Sequence, residues 1–171
     1  WGAKQDITRI KQAEEEIRKK DLVLARLASQ VPGMLYQFLR KADGTYAVPY
    51  SSEGIRDVFG CAPEDVREDY APIMSVIREE DREVVLGSIQ SSARDLSPWK
   101  CEFRVQLPGA ERKWMYGNSI PEKLADGSIV WYGYIVDVTE RKETEQRILK
   151  LNEELEQRVR ERTAELEAFT Y

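Results

Sequence analysis

One short string occurs twice in this chain, and each copy marks where a strand-type pattern hands over to a helix-type one. Gly133-Tyr134-Ile135-Val136-Asp137-Val138-Thr139-Glu140-Arg141-Lys142 is matched near the start by Gly2-Ala3-Lys4-Gln5-Asp6-Ile7-Thr8-Arg9-Ile10-Lys11. At that single offset Gly2, Asp6, Thr8, Lys11, Glu14, Ile17 and Lys19 meet Gly133, Asp137, Thr139, Lys142, Glu145, Ile148 and Lys150, and Trp1 meets Tyr132. A charged segment of helical period follows each copy. Such self-similarity predicts a tandem array. The chain would begin at the tail of one module and run past the tail of the next.

The flanking segments read as helices. Asp6 and Thr8 are suited to N-cap positions, where a side-chain oxygen takes up orphan backbone N–H groups. Behind them Ile10, Ala13, Ile17, Lys20, Leu24, Leu27 and Val31 recur by threes and fours, a heptad seam with one polar intruder. Glu14-Glu15-Glu16 and Arg18-Lys19-Lys20 place opposite charges four apart, and Pro32-Gly33 stops the helix. From Thr139 to the end a second stripe runs through Ile148, Leu151, Leu155, Val159, Leu166 and Phe169. Its two consecutive steps of four form a stutter, which locally unwinds a left-handed coiled coil.

Between the helices the pattern changes to period two. Met34 to Arg40 and Thr45 to Tyr50 read as strands around an Ala42-Asp43-Gly44 turn. Pro49 cannot donate to a ladder, so the second belongs at a sheet edge. Short helical pieces follow at Ile55–Phe59 and after Pro63, a residue suited to a first helical turn. Glu79 to Asp95 is a longer amphipathic helix expected to bury Val84, Val85, Ile89 and Ala93. Trp99, Cys101, Phe103, Val105 and Leu107 alternate with polar residues, which predicts a strand near an edge with one wet face. Arg112 to Leu124 is the next strand. Ile129 to Val138 is apolar on both faces and reads as a central strand covered on both sides. The order strand, strand, small helices, strand, strand, strand predicts an α+β fold: a five-stranded antiparallel sheet with small helices on one side, enclosing a pocket.

Composition excludes several functions. The 171 residues contain no histidine, so a His-ligated haem, a His-containing metal site and a Ser-His-Asp triad are ruled out within this sequence. Cys61 and Cys101 lack metal or redox spacing and read as two reduced thiols. Net charge is −5 with both signs interleaved, which argues against nucleic acid. Apolar runs are too short to span a bilayer, and the segment is expected to be cytoplasmic without direct membrane contact.

Trp131-x-Gly133-x-x-x-Asp137-Val138-Thr139-Glu140-Arg141-Lys142 resembles the PAC-type signature that closes a PAS domain. Upstream landmarks fall in the same order: Tyr50-Ser51-Ser52, Val58-Phe59-Gly60, Pro63-Glu64-Asp65-Val66, Glu79-Glu80-Asp81-Arg82, Glu102-Phe103-Arg104, Lys113-Trp114 and Asp126-Gly127-Ser128. The resemblance implies a PAS fold and four parts. Residues 1–8 would be the tail of a preceding PAS domain, 9–31 a connecting signalling helix, 32–138 the PAS domain, and 139–171 an exit helix. The tail, Leu151 to Val159 with Glu161 to Phe169, resembles the linker before a bacterial sensor histidine kinase core. There a stretch similar to Phe169-Thr170-Tyr171 precedes the phosphoacceptor.

The resemblance also assigns roles. Trp131, Gly133, Asp137 and Thr139 would couple strand position to helix direction, with Thr139 capping the emerging helix. Tyr36, Phe38, Phe59, Phe103, Trp114, Tyr132 and Tyr134 are candidate pocket residues, although such aromatics more often form plain core. No cofactor is expected, although a small metabolite stays open. Gly60-Cys61-Ala62-Pro63 is not the Asn-Cys-Arg-Phe-like segment of a photoreactive flavin site. Ile148, Leu151, Leu155, Val159 and Leu166 would pair in a homodimer, with neighbouring PAS and kinase domains as further partners. The expectation is a non-catalytic sensor or relay module of a two-component kinase. Its rivals are a ligand-free dimerisation spacer and the input domain of a diguanylate cyclase or transcription regulator.

Overall fold

In the computed structural model, which describes residues 2–170, the elements run in chain order as α1 (Gly2–Gln30), β1 (Met34–Arg40), β2 (Tyr46–Ser51), α2 (Ile55–Phe59), a 3-10 turn (Pro63–Val66), α3 (Ala71–Val76), α4 (Glu79–Asp95), β3 (Trp99–Val105), β4 (Lys113–Lys123), β5 (Ile129–Asp137) and α5 (Thr139–Ala168). Trp1, which opens the sequence repeat, and Tyr171, which closes the kinase-like stretch, lie outside the described residues. The chain divides into two units between Asp137 and Val138.

All five strands form one antiparallel sheet in the order β2-β1-β5-β4-β3. The two edges fall where the sequence placed them. Pro49 sits in β2, and the strictly alternating β3 is the other edge. β5 is central, yet its outer face is covered only at its start, where Val130 is buried. Trp131 and Ile135 are buried, whereas Tyr132 and Tyr134 are 45% and 37% exposed. The expectation of cover on both faces fails because all the small helices pack on one side.

The core lies between the inner sheet face and α2, α3 and α4. Phe59 stacks on Phe103 with ring centres 6.3 Å apart, and Phe38, Tyr46 and Tyr70 form a second aromatic group. In α4 the buried residues are Val85, Ile89, Ser92 and Ala93, spaced by four, three and one along one face. Val84 is 63% exposed. It stands about 100° around the helix from Val85, and the covered stripe is narrower than expected.

Two tryptophan N–H groups pin α4 to the sheet. Trp99 Nε1 donates to Ser88 Oγ at 2.8 Å, and Trp131 Nε1 donates to Ser92 Oγ at 2.9 Å. Ser88 and Ser92 are one helical turn apart, so both bonds come from the same face of α4. At the N-terminus of α4, Asp81 holds the β3 edge. Its carboxylate accepts from the Arg104 backbone N–H at 2.7 Å and from the guanidinium at 2.9 and 2.5 Å. The Arg78 N–H donates to the Arg104 carbonyl, completing the cover of that edge residue.

The start of the chain corrects one expectation. Gly2 to Gln30 is a single helix, so Asp6 and Thr8 lie inside it and cap nothing. Thr8 Oγ1 instead donates to the Lys4 carbonyl one turn back. A strand end has no ladder to join in this chain, and the helical pattern behind it propagates through. The expected ion pairs four apart do form, Glu15 with Lys19 and Glu16 with Lys20 at 3.3 Å, fully on the surface where such pairs contribute little. Ala28 is the one buried residue among the described residues of α1.

Candidate functional site

The inner face of the sheet is organised in rows that cross the strands. In one row Tyr36 of β1 pairs with Gly133 of β5, which pairs with Ser119 of β4, which pairs with Trp99 of β3. The next row holds Met34, Ile135, Gly117 and Cys101. Each row has a glycine where a side chain would otherwise stand, so the floor of the fold is locally thin. A Cβ on Gly117 would strike the Trp99 ring, which lies over it. One on Gly133 would strike the Asn118 carbonyl oxygen and Ser119. The glycine of the closing motif is therefore a close-approach residue: it lets β4 lie tight against β5.

Above these rows lies a cavity of about 60 Å³. Its floor includes Met34, Tyr36, Phe38, Trp131 and Ile135, its roof Ile73 and Met74 of α3 with Val85 and Ile89 of α4, and its ends Phe59, Phe103 and Trp99. Four of the sequence-predicted pocket residues line it: Tyr36, Phe38, Phe59 and Phe103. The other three do not. Trp114, Tyr132 and Tyr134 point from the opposite face. Arg104 lies over the Trp114 ring at 5.4 Å, and Tyr134 meets Tyr116 edge-on with the Asn118 amide 3.4 Å from its hydroxyl. The physical reason is strand alternation: with Trp131, Met115 and Phe103 facing inward, their even-numbered neighbours must face out. Pocket residues the sequence reading missed are the aromatics Tyr70, Trp99 and Trp131, the methionines and aliphatic residues of floor and roof, and Ser119.

The cavity carries no charged side chain, and its hydroxyl-bearing residues are Tyr36, Tyr70 and Ser119. Burial pushes the Tyr36 phenol well above its ordinary range, opposed in part by its neighbour Ser119. The two hydroxyls are close enough to feel each other, but their geometry falls short of a hydrogen bond, and Ser119 Oγ is left buried without a partner. Pockets for drug-sized ligands occupy about 300–1,000 Å³. As shaped here, the cavity is far too small for a porphyrin or a flavin.

At the exit of the sheet, Asp137 pairs with Lys113 of β4 at 3.5 Å. The N-cap of α5 is Val138, whose carbonyl accepts from the Lys142 N–H at 2.9 Å, and Thr139 is the first helical residue. The expected capping role of Thr139 is thus displaced by one position. Ile148, Leu151, Leu155, Val159 and Leu166 of α5 are all exposed.

Residues 48–136 match the family model described as the PAS fold. The chain belongs to the PAS family. A curated relative, the methyl sulfide methyltransferase-associated sensor of Methanosarcina acetivorans, is 27% identical over 126 residues. That match covers 72% of this chain and 12% of the relative, so the chain spans about an eighth of that protein. Among solved structures, a sensory box histidine kinase/response regulator from Burkholderia thailandensis superposes with a TM-score of 0.55 at 19% identity, covering 81% of this chain and 98% of that one. The N-terminal domain of a diguanylate cyclase with PAS/PAC sensor from Marinobacter aquaeolei gives 0.52 at 12% identity, over 63% of this chain and 98% of that one. At these identities the likeness establishes the PAS fold. None of the helices among the described residues is long and apolar enough to cross a membrane.

Proposed function

We propose that this PAS domain is a sensor or relay module of a sensor histidine kinase, and that it reports the state of its cavity, of an upstream domain or of a partner through α5. The observation that carries the reading is the continuity of β5. Trp131 and Ile135 line the cavity, Asp137 ends the same strand, and the chain enters the 30-residue α5 two residues later. A shift of β5 driven from the cavity is therefore felt at the first turn of α5. The sensor character of the archaeal relative and the kinase architecture named for the Burkholderia protein support the same direction.

Dimerisation belongs to this reading. The α5 stripe leaves five aliphatic residues open to water, and parallel pairing with a second copy would bury them. The stutter in the stripe offers a place where register can change, a two-state element of the kind signalling requires. Sedimentation equilibrium is expected to give a concentration-dependent dimer; a monomer at every concentration rejects the pairing.

The coupling is tested in the whole protein. Asp137→Ala is expected to uncouple ATP-dependent autophosphorylation from its input while circular dichroism stays unchanged. Regulation identical to wild type rejects the role of Asp137. The Marinobacter neighbour supplies a second reading, input to a cyclase. A His-Asp or His-Glu pair shortly after Tyr171 belongs to the kinase, and a Gly-Gly-Asp-Glu-Phe-like motif to the cyclase.

A further inference from the structure

The row Tyr36–Gly133–Ser119 crosses the inner face of the sheet, and its two hydroxyl-bearing members, Tyr36 and Ser119, line the cavity. Ser119 is 2% exposed, lines the cavity, and its Oγ has no hydrogen-bond partner. A buried, unpaired hydroxyl is costly, and proteins rarely leave one without a protein, water or ligand group to meet it. Everything else around the space is hydrocarbon, thioether or aromatic, apart from the hydroxyls of Tyr36 and Tyr70. From this geometry we infer that the cavity binds a very small, uncharged molecule with an apolar body and one hydrogen-bonding group, and that this group pairs with Ser119 Oγ. The inference rests on the reading of the cavity as the sensing site and adds the chemical class of what is sensed.

Three physical arguments narrow the ligand. Size is the first. An apolar cavity of about 150 Å³ takes up benzene, about 25 Å³ per non-hydrogen atom, so about 60 Å³ admits two or three such atoms. Charge is the second. With no cationic or anionic side chain in the lining, a carboxylate or ammonium would be buried unpaired at a cost of many kcal/mol, and it is rejected. Competition with water is the third. A trapped water wants two to four polar partners, and of the sixteen lining residues only Tyr36, Tyr70 and Ser119 carry a hydroxyl, the rest of the wall being apolar or aromatic. A molecule that satisfies Ser119 with one polar atom and fills the apolar remainder with carbon displaces such water favourably. Met34 and Met74, both in the lining, are flexible enough to fit their side chains around it.

The three methionines of the chain supply a reporter. Met34 and Met74 line the cavity, whereas Met115 is buried outside it. The chain carrying ¹³C-methyl methionine is titrated with ethanol, with formate of equal heavy-atom count, and with xenon. Ethanol is expected to shift the Met34 and Met74 methyls saturably and to leave Met115 still, while formate moves none of them. In Ser119→Ala, ethanol binding is expected to weaken about fivefold, the loss of one hydrogen bond, with xenon binding unchanged. Retained xenon binding also shows that the variant keeps its fold and its cavity. Linear, non-saturating shifts with ethanol overturn the inference, as do equal binding of formate, an ethanol affinity indifferent to Ser119→Ala, or a loss that xenon shares. If ethanol binds as expected but leaves autophosphorylation of the whole protein unchanged, the ligand class stands and the reading of the cavity as the sensing site falls.

Discussion

Asp81 does more than open a helix. Its position in Glu79-Glu80-Asp81 suits the positive end of α4, yet its carboxylate is spent on Arg104 across the β3 edge. The Arg104 side-chain hydrogen bonds hold the Asp81 carboxyl below its usual range. Its folded pKa therefore lies under its unfolded one, and the fold binds the ionised form. The resulting stability is complete above about pH 4, the ordinary Asp value, and is lost as pH falls through the folded pKa. Asp81→Asn is expected to cost about 1.5–3 kcal/mol at pH 7 and to flatten the acid limb. Urea titrations at pH 7 and pH 3 check both. Gly133 makes a second residue-scale case. Its Cβ would meet the Asn118 carbonyl and Ser119, so Gly133→Ala is expected to destabilise by about 1–3 kcal/mol. Thermal melts measure this, and an unchanged melting temperature would show that β4 can give way.

At the scale of elements, the clamp between α4 and the sheet links the cavity roof to the exit strand. Ser92→Ala leaves the buried Trp131 N–H without its acceptor, and an expected loss of about 1–3 kcal/mol follows. The neighbouring Trp99–Ser88 bond is intact in that variant, so α4 should stay docked with a faster amide exchange in its last turns. For α5, Leu155→Lys places a charge on the apolar stripe and is expected to abolish the dimer without affecting the domain's unfolding midpoint. Sedimentation and denaturation of the same variant read the two effects separately. Most elements were legible in the sequence. Strand and turn signals located β1, β3, β4 and β5 to within two residues, by clean alternation in β3 and by an apolar run bounded by a turn in β5, and Pro49 put β2 at an edge. Boundaries went astray where a residue suits two neighbouring positions, as Thr139 does at the start of α5.

At the scale of the whole molecule, the sequence determined the order of elements, the antiparallel sheet, its edges and the PAS family. These follow from local periodicity, turn chemistry and short ordered motifs, all carried by residues near one another in the chain. Absence of histidine likewise ruled out a His-ligated haem in this segment without coordinates. What tertiary structure decided is which side of each strand faces inward, and so which aromatics touch the cavity. Tyr132 and Tyr134 look as apolar as Tyr36 and Phe38 in one dimension. Only the packing of α3 and α4 on a single face separates the two pairs. The cavity's size, the close approach of β4 at Gly133 and the unpaired hydroxyl of Ser119 are products of cross-strand register. Register joins residues 36, 133 and 119 through hydrogen-bond ladders, and no local pattern records which residues will stand side by side.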